Sequence, residues 1–79
     1  HWAEENIRVN AVAPGLIDTP MTAPMKAFPK MLESEVSRGA MGRMGTPEEV
    51  AAAVLFLSCE ASSFTTGSVL AVDGGYLAL

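Results

Sequence analysis

The chain has 79 residues, a net charge of −4 at pH 7 and a single cysteine, Cys59. Its five Lys and Arg residues are scattered, which argues against nucleic-acid binding, and one cysteine cannot form an internal disulfide or a multi-cysteine metal site. No run approaches the roughly 18 apolar residues of a membrane span, and the chain opens without a secretory leader. We therefore expect a cytoplasmic protein with no membrane, nucleic-acid or metal partner.

The composition is unusually apolar for so short a chain. Hydrophobic residues make up 49% of it before its 7 glycines are added, whereas an average soluble protein reaches about 45–50% with glycine included. A short chain has proportionally more surface and should be more polar than average. We expect the chain to be incomplete as a folding unit and to pack against preceding strands, a partner chain, or both.

The first informative stretch is residues 7–21. Alternating, β-branched residues predict a strand over residues 7–13. Pro14 cannot donate to a sheet ladder and Gly15 tolerates the positive φ of a tight turn, so the strand should end there. Ligands of open α/β sheets bind outside the carboxyl ends of the strands, which makes residues 16–21 a candidate ligand contact. The alternative is a buried strand followed by an ordinary Pro-Gly turn.

Residues 21–45 are the least regular stretch and hold all five methionines. Pro29 predicts the first turn of a short helix, with Leu32 and Val36 on one face. Long irregular connections are usually functional or disordered, and methionine adapts to varied apolar ligands. We interpret the stretch as a lid. The alternative is methionines that fill an irregular core.

A second firm element begins at Thr46. Thr46 and Glu49 form a predicted capping box, and Pro47 suits the first helical position, so we expect a helix over residues 47–58. The apolar face of this helix comprises Val50, Ala53, Val54 and Leu57. Leu55 and Phe56 widen the face, which predicts burial on more than one side.

The remaining residues predict a loop and a last strand. Phe64 is expected to anchor the loop to the core, and the apolar run 68–72 suits a strand covered on both faces. Strand, helix and strand make a β-α-β unit, whose strands should be parallel and whose crossover should be right-handed.

Three runs of the sequence, taken together, resemble landmarks of the short-chain dehydrogenase/reductase family. Residues 7–21 resemble the segment that follows the family's sixth strand, Gly42–Val50 resembles its next landmark, and Thr66–Gly75 resembles its last strand and tail. The resemblance implies an α/β fold: the C-terminal part of a doubly wound, Rossmann-like parallel-sheet domain. This part would hold two strands, a crossover helix and a substrate lid at 21–45, and residues 1–79 would not be an autonomous domain.

The resemblance also implies a cofactor, NAD or NADP. It assigns the main chain of Ile17 to the nicotinamide carboxamide and the hydroxyl of Thr19 to the carboxamide or the pyrophosphate. Pro14 and Gly15 would shape the turn, with Gly15 allowing close approach to the ring. Met21 would touch the diphosphate or cover the nicotinamide.

No catalytic residue is expected in the chain itself. The family's catalytic Tyr-x-x-x-Lys pair and serine would precede residue 1, and Tyr76 is too close to the end to be followed by the lysine. The implied function is part of an NAD(P)-dependent oxidoreductase that interconverts an alcohol and a carbonyl. Family members commonly form dimers or tetramers, so a homo-oligomer contact near Val54, Leu55 and the last strand is expected. The rival interpretation is a non-catalytic truncated or assembly module that packs on a partner chain.

Overall fold

The computed structural model describes residues 2–78. Its regular elements are β1 (Ala11–Pro14), α1 (Pro29–Ser37), α2 (Pro47–Ser58) and β2 (Val69–Val72), joined by short 3-10 helices. The 3-10 helices span Trp2–Glu5, Ala23–Ala27, Glu60–Ser62 and Tyr76–Ala78. The two strands are parallel, as the β-α-β pattern predicted, and they are also adjacent, which the pattern did not predict, with Ala11 opposite Val69 and Pro14 opposite Val72.

The strand β1 is shorter at its start than the predicted strand over residues 7–13. Pairing with the β2 side does extend upstream of β1, because the Gly67 N–H donates to the Val9 carbonyl over 2.8 Å. The Val9 N–H, however, donates to the Thr66 hydroxyl over 3.1 Å instead of to a backbone carbonyl. A side chain thus replaces a rung of the ladder, and the regular strand begins only at Ala11.

A polar clamp holds the chain upstream of β1 against the loop that precedes β2. The Arg8 guanidinium donates to the Ser62 hydroxyl at 3.0 Å, to the Thr65 carbonyl at 3.1 Å and to the Cys59 carbonyl at 3.3 Å. The Asn10 side-chain amide donates to the same Thr65 carbonyl at 3.0 Å. Ser62, 1% exposed, is the most buried side chain of the described residues. The clamp fixes the end of the sheet opposite to the strands' carboxyl ends.

The helix α2 forms as its capping signals predicted. The Thr46 hydroxyl accepts the Glu49 N–H at 3.2 Å, and the Glu49 carboxylate accepts the Thr46 N–H at 2.9 Å. Pro47 takes the first helical position. Both orphan donors at this helix end are therefore satisfied by local residues, which is why this element could be predicted from sequence.

Burial inside the described part of the chain is low. No hydrophobic side chain of residues 2–77 is fully buried, and Leu55 and Val69 are 68% and 70% exposed. The prediction that Phe64 anchors its loop is wrong, since its side chain is fully exposed. The short loop turns Phe64 outward because Ser62, held by Arg8, takes the inward position. No helix in the described part is long and apolar enough to cross a membrane.

Candidate functional site

A cleft of about 690 Å³ opens at the carboxyl ends of β1 and β2. Its floor is formed by the residues that end the two strands and by the turns that follow them. Its wall is formed by the end of α1 and by the segment from Gly39 to Gly45. Its outer rim carries Tyr76 and Leu77. This is the edge of a parallel sheet at which open α/β folds bind ligands.

Gly15 lies in the floor of the cleft, where its backbone comes very close to Asp73. Its N–H donates to the Val72 carbonyl at 3.0 Å, which extends the ladder one residue past β1. A Cβ on Gly15 would fall 2.8 Å from the Asp73 Cα and 2.9 Å from the Asp73 Cβ. Gly15 is not among the residues at positive φ, contrary to the conformational reason that the sequence suggested. Glycine is required here because the two strand ends touch.

The turn after Gly15 is held by a parallel bridge between Ile17 and Gly45. The Gly45 N–H donates to the Leu16 carbonyl and the Asp18 N–H donates to the Gly45 carbonyl, each at 2.9 Å. In an extended chain, successive peptide groups point to opposite sides. The N–H and C=O of Ile17 itself therefore face away from Gly45.

The hydroxyl of Thr22 makes two hydrogen bonds within that turn. It donates to the Ile17 carbonyl at 2.7 Å and accepts the Thr19 N–H at 3.0 Å. Within residues 2–78 the Ile17 N–H has no acceptor, so residue 17 carries one satisfied carbonyl and one unpaired donor. Sequence reasoning did not single out Thr22. The available signal was a hydroxyl residue three positions after another, a spacing at which Ser and Thr bond to nearby backbone.

The structure brings some of the predicted cofactor residues together and leaves others outside the cleft. Pro14, Gly15 and Ile17 line it. Thr19 is half-buried behind the lining residues, with its hydroxyl 3.5 Å from that of Thr22. Met21 is 89% exposed and does not line the cleft.

The wall of the cleft is held by an ion pair and by a hydrogen bond from the backbone. The Arg43 guanidinium binds both oxygens of the Glu49 carboxylate, at 2.9 and 3.0 Å. These hydrogen bonds, together with that from the Thr46 N–H, lower the pKa of Glu49 to about 2. The pair thus stays ionised at neutral pH and connects the wall to the start of α2.

The segment after β2 closes against the same wall. The Asp73 carboxylate accepts the Gly75 and Leu77 N–H groups at 3.0 and 3.1 Å. The Gly74 carbonyl accepts the Met41 N–H at 2.8 Å. The Arg38 guanidinium lies over the Tyr76 ring, 5.1 Å from its centroid. The cleft is therefore bounded on two sides by segments that hydrogen-bond to each other.

The chemistry offered by this arrangement is recognition of a polar group by backbone. Three or more His, Cys, Asp or Glu side chains do not gather at metal-binding distance anywhere in residues 2–78. The donor without an acceptor in residues 2–78 is the Ile17 N–H, on a residue that lines a mostly apolar cleft. An uncharged hydrogen-bond acceptor, such as a carboxamide oxygen, suits it.

Comparison with known proteins finds similarity to dehydrogenases and reductases. A family model described as enoyl-(acyl carrier protein) reductase matches residues 1–77. Galactitol 2-dehydrogenase (L-tagatose-forming) of Cereibacter sphaeroides is 51% identical over 75 residues, which are 95% of this chain and 30% of that protein. The 3-oxoacyl-(acyl-carrier-protein) reductase of Thermotoga maritima is 54% identical over 78 residues, 94% of this chain and 31% of that protein. The chain thus spans about 30% of the length of these curated relatives.

Solved structures agree with the sequence matches. An Agrobacterium tumefaciens protein with bound NADP, provisionally named 2-deoxy-d-gluconate 3-dehydrogenase, superposes with a TM-score of 0.94 at 41% identity. The superposition covers 99% of this chain and 32% of that one. A 4-hydroxyisoleucine dehydrogenase complexed with NADH gives a TM-score of 0.89 at 32% identity, again over 99% of this chain and 32% of that one. These matches confirm the predicted α/β fold class.

Proposed function

This chain belongs to the short-chain dehydrogenase/reductase family, as its family match over residues 1–77 shows, and from that premise we propose that it is the C-terminal part of an NAD(P)-dependent oxidoreductase. The complete enzyme would interconvert an alcohol and a carbonyl. Named relatives that are dehydrogenases and reductases, and structural neighbours with bound NADP or NADH, support the reaction class and the cofactor. The chain would supply a nicotinamide-binding turn and a substrate lid.

The observation that carries the proposal is the unpaired N–H of Ile17 at the edge of the sheet. Its neighbours Leu16 and Asp18 are engaged with Gly45, and its own carbonyl accepts the Thr22 hydroxyl. A nicotinamide carboxamide needs a fixed donor that does not titrate, so that one ring face meets the substrate. The Ile17 N–H meets that need.

The other proposed cofactor contacts lie on the same turn or at the floor of the cleft. Pro14 and Gly15 form part of that floor. The Thr19 hydroxyl would reach the carboxamide or the pyrophosphate. Met21 would cover the cofactor from the exposed side of the turn. When bound, NAD(P) supplies the hydride acceptor or donor, while these residues orient it.

Residues 21–45 are proposed as the substrate lid. The end of α1 and residues 39–45 form a wall of the cleft, as a covering segment should. Met31 and Met41 are 50% and 62% exposed, which leaves flexible apolar side chains available to a ligand. Gly45, at the end of the proposed lid, hydrogen-bonds to the turn that is proposed to bind the cofactor, so the two segments are directly connected.

A chimera tests the proposal. Residues 1–79 replace the aligned portion of the Thermotoga maritima reductase, 31% of its length, and the product is assayed for NAD(P)H binding and carbonyl reduction. We expect both activities. A chimera that is folded by circular dichroism but binds no NAD(P)H would overturn the proposal. The unmodified reductase provides the positive control.

The second candidate function is a non-catalytic assembly module. It is favoured by the exposed apolar residues on α2 and β2, among them Leu55 and Val69. The same chimera separates the two, because a module would assemble with its partner without restoring cofactor binding. The orphan donor beside the cleft favours the enzyme.

A further inference from the structure

The Thr22 hydroxyl makes hydrogen bonds in both directions along the turn that carries Ile17. It lies 2.7 Å from the Ile17 carbonyl oxygen and 3.0 Å from the Thr19 nitrogen. It also lies 3.1 Å from the Thr19 carbonyl oxygen. A hydroxyl has one proton to donate and two lone pairs to accept with. The distances indicate which of the two carbonyl oxygens accepts that proton.

The Ile17 carbonyl is the better acceptor for that proton. It is the closer of the two carbonyl oxygens, and the Thr19 carbonyl already accepts two backbone N–H groups, those of Thr22 at 3.1 Å and Ala23 at 3.0 Å. The Thr22 hydroxyl therefore donates to Ile17 and accepts from the Thr19 N–H. One side chain thus ties the peptide groups on both sides of Asp18.

This arrangement determines what Ile17 can offer a ligand. The bridge to Gly45 engages Leu16 and Asp18 on one side of the turn, and Thr22 engages the Ile17 carbonyl on the other. The Ile17 N–H remains as the donor without an acceptor in residues 2–78. Without the Thr22 hydroxyl, the Ile17 carbonyl and the Thr19 N–H would both lose their partner, and the two peptide groups that flank Asp18 would be held only by the Asp18 N–H bond to Gly45.

Building on the proposed function, we infer that Thr22 is a positioning residue for the nicotinamide. Its hydroxyl occupies the Ile17 carbonyl and holds the turn that follows, so that the Ile17 N–H, on the Leu16–Ile17 peptide held by Gly45, stays presented to the carboxamide oxygen. Thr22 does not touch the cofactor in this scheme. In this scheme the Thr19 hydroxyl, 3.5 Å from that of Thr22, contacts the carboxamide and not the pyrophosphate. Thr22 then acts on nicotinamide recognition alone, and recognition of the rest of the dinucleotide is unchanged.

The test compares two ligands and two substitutions in the complete enzyme. The ligands are NAD(P)H and the matching ADP-ribose, which lacks only the nicotinamide. Thr22→Val removes the hydroxyl and keeps the shape, whereas Thr22→Ser keeps the hydroxyl. We expect Thr22→Val to weaken NAD(P)H binding by about twofold to tenfold, the scale of a lost neutral hydrogen bond, with ADP-ribose affinity unchanged. Thr22→Ser should restore NAD(P)H binding.

Three results would overturn the inference: equal weakening of both ligands, unchanged NAD(P)H affinity in Thr22→Val, or a serine variant that behaves like the valine variant. If Thr22→Val does not accumulate as folded protein, Thr22→Ala replaces it in the same comparison with Thr22→Ser. Failure of the unsubstituted enzyme to bind NAD(P)H would instead reject the proposed function, so the two claims fail separately.

Discussion

The Cα of Gly15 lies against Asp73 so closely that a methyl group on Gly15 would fall 2.8 Å from the Asp73 Cα. Both atoms belong to backbone at the carboxyl ends of neighbouring strands. A flexible side chain could move aside at such a distance, but backbone that is bonded into a sheet cannot. The contact therefore fixes the floor of the proposed cofactor cleft.

Gly15→Ala should destabilise the complete enzyme by about 1–3 kcal/mol, the usual cost of overpacking a fixed contact. Chemical denaturation measures the change in the free energy of unfolding. Gly39→Ala is the matched control, because a Cβ there would meet its nearest atom, the Gly74 carbonyl oxygen, at an ordinary 3.5 Å. Equal stability of the two alanine variants would contradict the steric argument.

Thr19→Val should weaken NAD(P)H binding by up to about tenfold, since it removes one neutral hydrogen bond worth roughly 0.5–1.5 kcal/mol. Isothermal titration gives the affinity. Thr65→Val serves as control because the Thr65 hydroxyl makes no hydrogen bond within residues 2–78 and Thr65 does not line the cleft. Unchanged affinity in Thr19→Val would remove Thr19 from the proposed site.

Glu49 should make stability depend on pH in the acid range. Its pKa is lowered from 4.5 to about 2 by Arg43 and by the Thr46 N–H. A depressed carboxylate pKa stabilises the fold fully above the unfolded-state value, and this contribution is lost as pH falls through the folded-state value. Between pH 4.5 and 2, the Tm of the unsubstituted enzyme should therefore fall more steeply than that of Glu49→Gln.

The control for this measurement is Glu48→Gln, which changes the adjacent carboxylate of the same helical turn. It should leave the steep fall in place. Because the side chains of Arg43 and Glu49 are 49% and 43% exposed, high salt should weaken the effect. Identical pH profiles for Glu49→Gln and the unsubstituted enzyme would refute the role assigned to this pair.

Leu55→Glu should reduce the assembly state of the complete enzyme. Leu55 is 68% exposed on α2, close in sequence to Val54 at 48%, and exposed apolar residues of this kind often mark protein contacts. Light scattering after size-exclusion chromatography reports the mass. Leu55→Met, which keeps the surface apolar, should retain the oligomer. If the unsubstituted enzyme is a monomer at micromolar concentration, the prediction is wrong.

Residues 1–79 expressed alone should show no cooperative thermal transition. Ordering them costs roughly 1.5 kcal/mol per residue, whereas no apolar side chain in residues 2–77 is fully buried. The two strands pair with each other, but parallel strands normally need cover on both faces. Circular dichroism during heating checks this. A sharp melt from a monomer would show that the described contacts suffice.

Elements whose signals are local could be predicted from the sequence. The helix from Pro47 to Ser58 has its cap, its first-turn proline and its acidic residues within four positions of one another. The start of α1 at Pro29 follows from the same proline rule. The end of the first strand was placed within one residue, because Pro14 limits it whatever it packs against.

Features that depend on distant residues could not be predicted in the same way. Glycine is needed at position 15 because a side chain there would collide with Asp73, which lies 58 positions further along the chain. No local pattern reveals that contact. The first strand starts late because Thr66 supplies a side-chain acceptor to Val9. Thr22 was missed because its role appears only when the turn folds back on Ile17.

The clamp formed by Arg8 and Asn10 fixes the register in which the two strands pair, and with it the geometry of the cleft. A shift of β1 by one residue would pull both side chains off Thr65, and would also bring Leu16 instead of Gly15 against Asp73, where no side chain fits. The two checks stand at opposite ends of a strand pair, about 16 Å apart at roughly 3.3 Å per residue. A chain that is mispaired by one residue therefore loses its contacts at both ends, so the clamp and the floor of the cleft form together or not at all.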